Sequence, residues 1–337
     1  MIDNFHCQLP PPLKPGDLLR VIAPSGALRE LEAFHQGVEI WRSRGYRIEL
    51  QSNWNAREGY LAGKDLERRH QLAEAWKDPE CQGILCTRGG YGSARLLEGW
   101  MWNWGLGNSE SSLAIKGKRE ITKTSTAQST PKWLIGFSDI TSLLWSLYQS
   151  GISSVHGPVL TSLAAEPEWS LKRLFDGVEG RPLEPLTGVG WGGGKVNGIL
   201  LAANLTVATH LLGTPVQPQL DGVILALEDV TEAPYRIDRM LTQWRMSGAF
   251  KGVRGIALGR FSRCDPPKDV PSWTVEEVLR DRLGDLDLPI VSDLPFGHEG
   301  VNAALLVGQA VELDANQGIL KECPLYEVTL QRAEFRN

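Results

Sequence analysis

One serine stands out in the sequence because of the pattern around it. Ser138 lies in the segment Trp133–Thr141, where an apolar run ends in a Gly-x-Ser turn and a helical pattern follows at once. Such a turn lifts the serine to the edge of a sheet, above the positive end of a helix, where free backbone N–H groups can bind an oxyanion. The pattern therefore makes Ser138 a candidate nucleophile. Capping of the helix is the alternative role, because serine is a favoured N-cap residue.

A glycine-rich stretch, Thr87–Gly92, also joins a predicted strand to a predicted helix. Its glycines let the backbone approach a ligand closely or adopt positive φ values. The backbone N–H groups of Gly90 and Asp139 are therefore the candidate donors to an oxyanion. The alternative is a plain tight turn, since the spacing lacks the full G-x-G-x-x-G of dinucleotide-binding folds.

A serine nucleophile needs a base, and the base needs a carboxylate that orients it. Among the six histidines, His298 is the best candidate base, because it lies on a glycine-flanked loop just after the predicted strand Ile290–Ser292. Glu228 closes an apolar strand, which places its carboxylate at a sheet edge. The alternatives are a solvated loop histidine and a solvated glutamate. His156 and His210 also remain candidates, since their surroundings in the sequence are apolar.

Short apolar runs alternate with amphipathic ones in the first half of the chain. Predicted strands there are Leu18–Ala23, Tyr46–Leu50, Gly83–Cys86 and Trp133–Phe137, and predicted helices are Glu30–Arg44, Asp65–Lys77, Tyr91–Trp100 and Asp139–Gln149. The alternation is typical of an α/β domain with a largely parallel sheet. In the second half, predicted strands are Val223–Leu227, Ile256–Leu258 and Ile290–Ser292, and predicted helices are Arg236–Arg245 and Thr274–Leu283.

A length of 337 residues favours two domains. A stretch without periodicity, rich in Gly and Pro, separates the two halves. We therefore expect an N-terminal domain over residues 1–176, a linker over 177–191 and a C-terminal domain over 192–337.

The segment Gly105–Pro131 interrupts the alternation, because it is rich in Gly, Ser, Thr and Lys. It is expected to be an exposed loop. The helix predicted before it returns the chain to the opposite edge of the sheet, away from the carboxyl ends of the strands where sites gather. We therefore expect no catalytic role for this loop.

The bulk composition is that of an ordinary globular protein, with 42% hydrophobic and 22% charged residues. A net charge of −5 argues against a nucleic-acid binder, because such proteins usually carry a basic excess. No apolar run approaches the ~20 residues of a membrane-spanning helix, and the N-terminus lacks the pattern of a secretory signal. The five scattered cysteines form neither a C-x-x-C pair nor a metal-like cluster. We therefore expect reduced thiols, no metal and a cytoplasmic location.

Several motifs, taken in chain order, resemble those of the LD-carboxypeptidase family of serine peptidases. They are Leu13–Gly26, Arg88–Ser93, Ile135–Thr141, Gly157–Pro158, Leu225–Val230, Pro234–Met240 and Leu294–His298, and they span most of the chain. The family carries a Ser-Glu-His triad in that order, which implies Ser138, Glu228 and His298 here. The resemblance also implies a Rossmann- or flavodoxin-like N-terminal domain that holds the serine and a β-rich C-terminal α/β domain that holds the other two. The site would lie between the domains of a homodimer, without a cofactor.

The resemblance implies an activity as well, the removal of the terminal D-alanine from murein tetrapeptides in cell-wall recycling. Such an exopeptidase needs a cation or N–H cluster for the free carboxylate of its substrate, and Arg88 and Arg236 are candidates. Two alternatives stay open. Family members resembling microcin C immunity peptidases hydrolyse aminoacyl-nucleotide analogues, and a two-domain α/β scaffold can also bind a ligand without catalysis.

Overall fold

The computed structural model describes residues 7–51, 53–100, 102, 130–266 and 268–323. The loop Gly105–Pro131 therefore lies almost wholly outside the described residues, and its expected lack of a catalytic role stays a prediction. Within the described ranges, no helix is both long enough and apolar enough to span a bilayer.

Strands and helices follow one another through most of the described chain. In chain order they are β1 (Leu18–Ile22), α1 (Leu31–Ser43), β2 (Arg47–Leu50), α2 (Asp65–Lys77), β3 (Cys81–Cys86), β4 (Trp133–Gly136), α3 (Thr141–Gln149), β5 (Ser154–His156), α4 (Leu160–Leu163), α5 (Glu168–Val178), β6 (Leu186–Thr187), β7 (Val189–Gly190), β8 (Lys195–Asn204), α6 (Leu205–Leu211), β9 (Val223–Val230), α7 (Pro234–Met246), β10 (Gly255–Ser262), α8 (Val275–Leu283), β11 (Ile290–Ser292), β12 (Leu305–Val307), β13 (Ala310–Asp314) and β14 (Ile319–Glu322). Short 3-10 helices lie at Ala94–Leu97 and Ser138–Ile140.

The first sheet has the strand order β12-β5-β4-β3-β1-β2. Strands β1 to β5 pair in parallel, so their carboxyl ends meet at one edge, where sites gather in open α/β sheets. Strand β12 comes from the second half of the chain and pairs antiparallel with β5. Ser138, which follows β4, therefore lies near the middle of this edge of the sheet.

The second sheet has the order β6-β14-β13-β8-β9-β10-β11-β7. Strands β8, β9, β10 and β11 pair in parallel, and the flanking strands pair antiparallel. Glu228 lies near the carboxyl end of β9, and His298 follows β11. The two sheets together confirm the predicted fold class, a largely parallel α/β sheet followed by a second, β-rich α/β unit.

Helix α3 links the two sheets, because it begins just after Ser138 at the edge of the first sheet and packs against the second sheet. Trp145 of this helix is fully buried, and its indole Nε1 donates to the carbonyl of Ala202 in β8 at 3.0 Å. The hydroxyl of Thr141, at the start of α3, accepts the backbone N–H of Asn204 at 2.9 Å. These contacts hold the turn that carries Ser138 in a fixed position relative to β8 and β9.

Most predicted elements are confirmed with small shifts of their ends, but the predicted helix Tyr91–Trp100 is wrong. This stretch forms only the short 3-10 helix Ala94–Leu97. Gly90 and Gly92 have φ values of 113° and 126°, which no α-helix accommodates. The apolar residues beyond them had suggested helical periodicity, but the glycines shape a loop instead.

Candidate active site

Ser138 occupies a strained turn between β4 and the 3-10 helix that precedes α3. Its φ is +63°, a left-handed value that costs a non-glycine residue roughly 1–3 kcal/mol and that recurs at functional sites. Gly136 makes the turn possible, because a Cβ there would stand 3.0 Å from the side chain of Ile140 and 3.2 Å from Cβ of Cys86. The Ser138 hydroxyl points to a histidine and does not cap the helix.

The predicted nucleophile, base and carboxylate meet in one hydrogen-bonded row. Nε2 of His298 lies 2.9 Å from Oγ of Ser138, and Nδ1 of the same ring lies 2.7 Å from Oε2 of Glu228. The His298 side chain is 15% exposed and Glu228 is fully buried, so one end of the row is open to solvent and the other is not. This arrangement can pass a proton from the serine to the imidazole while the carboxylate holds the ring tautomer.

The loop after β11 positions His298. Gly297 has a φ of 131°, and its N–H donates to the side-chain oxygen of buried Asn302 at 3.1 Å. The ring of Phe137, the residue just before the serine, lies 4.7 Å from the His298 ring. The two halves of the site therefore touch through side chains adjacent to the reacting groups.

Glu228 is held by Asn204, a residue that the sequence analysis did not single out. The two residues are register partners in β8 and β9. Nδ2 of Asn204 lies 3.3 Å from Oε1 of Glu228 and 3.0 Å from Oδ1 of Asp229. An asparagine that ends a strand and starts a helix was the available signal, but its carboxylate partners depend on strand register.

The second carboxylate, Asp229, anchors the start of helix α6. Its Oδ2 accepts the backbone N–H and the hydroxyl of Thr206 at 2.9 and 2.7 Å. Burial raises the pKa of Asp229 to about 6. Asp229 thus supports the residues around Glu228 without touching the histidine, and its orientation leaves Glu228 as the partner of His298.

The glycine loop, Arg88–Ser93, lies directly against the serine turn. A Cβ added to Gly89 would stand 2.9 Å from both Cβ and Oγ of Ser138 and 3.7 Å from the backbone N of Asp139. The backbone of this loop and the first turn after Ser138 therefore border the same small space. The two candidate oxyanion donors of the sequence analysis, Gly90 and Asp139, lie in these two neighbouring segments.

Of the other histidines singled out from the sequence, His156 is buried close to Phe137 and Phe296, whereas His210 is exposed on α6. The His156 ring lies 5.9 Å from the ring of Phe137 and 6.1 Å from that of Phe296. Burial lowers the pKa of His156 to about 4, so its ring is neutral at physiological pH. It packs behind the reacting residues rather than bonding to Ser138.

The two candidate cations for a terminal carboxylate have different surroundings. Arg88 donates to the carbonyl of Ala27 at 3.2 Å and pairs with Glu30 at 3.2 Å. Arg236 is half exposed on the first turn of α7, 3.5 Å from Glu232. Arg88 belongs to the glycine loop, whose Gly89 borders Ser138.

A cavity of about 840 Å³ opens beside the His298 loop. Residues 299–301, which directly follow the histidine, form one wall, and helix α8 with the ends of β10 and β11 forms others. Among the described residues, no cluster of three or more His, Cys, Asp or Glu side chains could hold a metal ion.

Models of two LD-carboxypeptidase domains match this chain. The N-terminal domain model covers residues 19–157 and the C-terminal domain model covers residues 197–313. Together they span most of the sequence, and Ser138, Glu228 and His298 all fall within the matched ranges. The chain belongs to the LD-carboxypeptidase family, as the sequence motifs predicted.

Individual relatives agree with this assignment. A Synechocystis sp. protein named "Putative carboxypeptidase slr1534" is 57% identical over 311 residues, which cover 92% of this chain and 96% of that protein. The murein tetrapeptide carboxypeptidase of Pseudomonas aeruginosa is 31% identical over 313 residues, which cover 88% of this chain and 93% of that enzyme. Among solved structures, the microcin C7 self-immunity protein MccF in complex with aspartyl sulfamoyl adenosine has a TM-score of 0.78 at 20% identity, over 95% of this chain and 99% of that one. The likeness to MccF is one of fold.

Proposed function

We propose that this chain is a serine-type LD-carboxypeptidase that removes the terminal D-alanine from murein tetrapeptides. The observation that carries the proposal is the continuous row of Ser138, His298 and Glu228, with contacts of 2.9 and 2.7 Å. The similarity to a murein tetrapeptide carboxypeptidase over nine-tenths of both chains supports the choice of substrate.

The proposed reaction is acyl transfer to Ser138. His298 Nε2 takes the hydroxyl proton as Oγ bonds to the carbonyl carbon between the diamino acid and D-alanine. The same nitrogen then returns this proton to the amine of D-alanine as the peptide bond breaks. Water next attacks the ester, gives its proton to His298, and the serine leaves with that proton. Throughout, Glu228 accepts the Nδ1–H and stabilises the imidazolium.

The negative charge of the tetrahedral intermediate needs donors that are in place before the reaction. In the proposed mechanism these are the N–H groups of Gly90 and Asp139, and each donor stabilises the transition state by about 3 kcal/mol. The contact of Gly89 with Ser138 supports this assignment, because it brings the glycine loop within reach of the reacting carbonyl.

The free carboxylate of the substrate needs a cation, and we propose Arg88 before Arg236. Arg88 is 22% exposed, and its ion pair with Glu30 is one that a substrate carboxylate could replace. Arg88→Met should then raise KM at least tenfold with a smaller effect on kcat, whereas Arg236→Met serves as the matched comparison.

We also propose a cytoplasmic homodimer whose chain divides into residues 1–176, 177–191 and 192–337. Size-exclusion chromatography with light scattering measures the oligomer. Limited proteolysis with mass detection measures the division, and cleavage concentrated between 177 and 191 would support it.

A second candidate substrate is an aminoacyl sulfamoyl adenosine, which the likeness of fold to MccF favours. The experiment that separates the candidates offers the purified protein a defined murein tetrapeptide and, in parallel, aspartyl sulfamoyl adenosine, with mass analysis of the products. Release of D-alanine by wild type but not by Ser138→Ala is the expected result. Turnover of the nucleotide analogue alone would overturn the murein proposal, and binding without turnover of either compound would favour a ligand-binding protein.

A further inference from the structure

Arg68, on helix α2, is charged and yet fully buried. Its Nη1 donates to two backbone carbonyls, those of Pro24 and Gly92, the second at 2.9 Å. Its Nη2 pairs with Asp65 at 2.5 Å. A buried cation is costly unless it is paired and hydrogen-bonded, so this residue is matched to the two carbonyls that it holds.

The ion pair between Arg68 and Asp65 is supported by a second arginine. Arg95 contacts the same carboxylate of Asp65 at 2.6 Å and, by hydrogen bonding, lowers the pKa of Asp65 to about 2. Asp65 therefore remains ionised at neutral pH. The guanidinium of Arg68 is fixed on one side by this carboxylate and on the other by the carbonyls.

Asp139, the residue after Ser138, accepts hydrogen bonds from the same two peptide segments. The carbonyls held by Arg68 belong to the residues just before Ser25 and Ser93. Oδ2 of Asp139 accepts the hydroxyl of Ser25 at 2.6 Å and the backbone N–H of Ser93 at 2.8 Å. Each segment is therefore clamped between a buried arginine and a buried aspartate.

The two clamped segments also touch each other next to the serine. The N–H of Gly26 donates to the carbonyl of Gly89 at 3.1 Å, and a Cβ added to Gly90 would stand 3.2 Å from Cα of Gly26. Gly89 in turn contacts Ser138. Because no flexible side chain intervenes between these backbones, a displacement of the Gly92 carbonyl passes to Gly90 and the serine turn.

We propose that Arg68 is a positioning residue for acyl transfer, which holds the glycine loop so that the Gly90 N–H faces the oxyanion. It touches no substrate and acts through the carbonyls of Pro24 and Gly92. The inference rests on the proposed function, because an oxyanion forms only if Ser138 attacks an electrophile. It goes beyond that function because it gives a buried residue of α2 an effect on the rate of acyl transfer.

The test measures the rate at which a fluorophosphonate modifies Ser138, and mass spectrometry of the intact protein follows the reaction. This reagent is suitable because its phosphonyl oxygen uses the same donors as the oxyanion. Arg68→Met should lower this rate about 10- to 100-fold, the cost of misplacing one donor. Arg68→Lys keeps a cation that can donate to a carbonyl and should lie between this variant and wild type. With the tetrapeptide, kcat should fall by a similar factor while KM changes less than about twofold.

Lys132→Met is the matched control. Lys132 is a buried cation immediately before β4, and its Nζ also donates to two carbonyls, those of Ala75 and Asp78. It lies at the opposite end of the strand that leads to Ser138, so its loss should lower the melting temperature without slowing phosphonylation more than about twofold.

The outcomes separate the two proposals. A folded Arg68→Met that reacts at the wild-type rate overturns the inference alone, and if this variant does not fold, a wild-type rate in Arg68→Lys does the same. An equal slowing in Lys132→Met also overturns it, since the effect would then follow from lost stability. Wild-type protein that is not modified at Ser138 overturns the proposed function and, with it, the inference.

Discussion

Replacement of Gly89 by alanine should disable Ser138 by a steric contact alone. The φ of Gly89 is not positive, so alanine can adopt the backbone conformation. Its new Cβ would stand 2.9 Å from Cβ and Oγ of Ser138, whereas ordinary contacts begin near 3.4 Å. The serine, or the glycine loop, must therefore move by about 0.5 Å.

A movement of this size acts on the Ser138–His298 hydrogen bond, which measures 2.9 Å. A misplacement of about 1 Å in an active site costs roughly 100-fold in rate, so we expect Gly89→Ala to lower kcat about 10- to 100-fold, or about 1.4–2.7 kcal/mol in the barrier. The change in free energy of unfolding should stay below about 1 kcal/mol, because the loop can shift.

The assay is D-alanine release under saturating tetrapeptide, together with urea unfolding. Gly248→Ala is the control, since Gly248 has a φ of +74° and open space where the Cβ would lie. This variant should lose about 1 kcal/mol of stability and keep its kcat. A Gly89→Ala enzyme with wild-type kcat would refute the argument that the glycine loop borders the nucleophile.

Three further predictions concern the carboxylates and the buried histidine. Glu228→Gln should lower kcat by about 10²- to 10⁴-fold with little effect on KM, because the amide no longer stabilises the imidazolium of His298; a KM effect alone in steady-state kinetics would contradict this role. Burial raises the pKa of Asp229 to about 6, so the folded chain binds more protons than the unfolded chain and stability is lost as pH rises from about 4 to 6. Asp229→Asn should remove this loss when the urea midpoint of unfolding is measured against pH. A midpoint that still falls with pH as in wild type would disprove the prediction. Burial lowers the pKa of His156 to about 4, so the unfolded chain binds more protons and stability is lost as pH falls from about 6.5 to 4. His156→Phe should remove this loss when the urea midpoint is measured against pH. A midpoint that falls toward acid pH as in wild type would contradict the prediction.

The sequence allowed the fold class and the three residues of the hydrogen-bonded row to be predicted because local patterns mark them. Ser138 follows an apolar strand and precedes a helix, Glu228 closes another apolar strand, and His298 lies between glycines. Residues at the carboxyl ends of strands collect at one edge of a parallel sheet, so the pattern predicts that Glu228 and His298 lie at the same edge of the second sheet. Ser138 follows a strand of the first sheet, and its meeting with these two residues was implied by the family resemblance.

The supporting contacts could not be predicted in this way, because they join residues far apart in sequence. Asn204 reaches Glu228 only through the register of β8 with β9, which no local pattern specifies. Arg68 lies on the predicted helix Asp65–Lys77, and no local pattern indicates that its guanidinium is buried against two loops. The predicted helix Tyr91–Trp100 failed for a related reason, since positive φ values at glycines override apolar periodicity.

The central claim is that Ser138 carries the acyl group during hydrolysis, with its base and carboxylate supplied by the second sheet. Rapid acid quenching of the enzyme with tetrapeptide, followed by digestion and mass analysis, tests it most directly. We expect the peptide that contains Ser138 to gain the mass of the substrate less one D-alanine, as an ester formed with release of the free amino acid requires. His298→Ala should show no such adduct. D-alanine release with no adduct on Ser138, or an adduct on another residue, would contradict it.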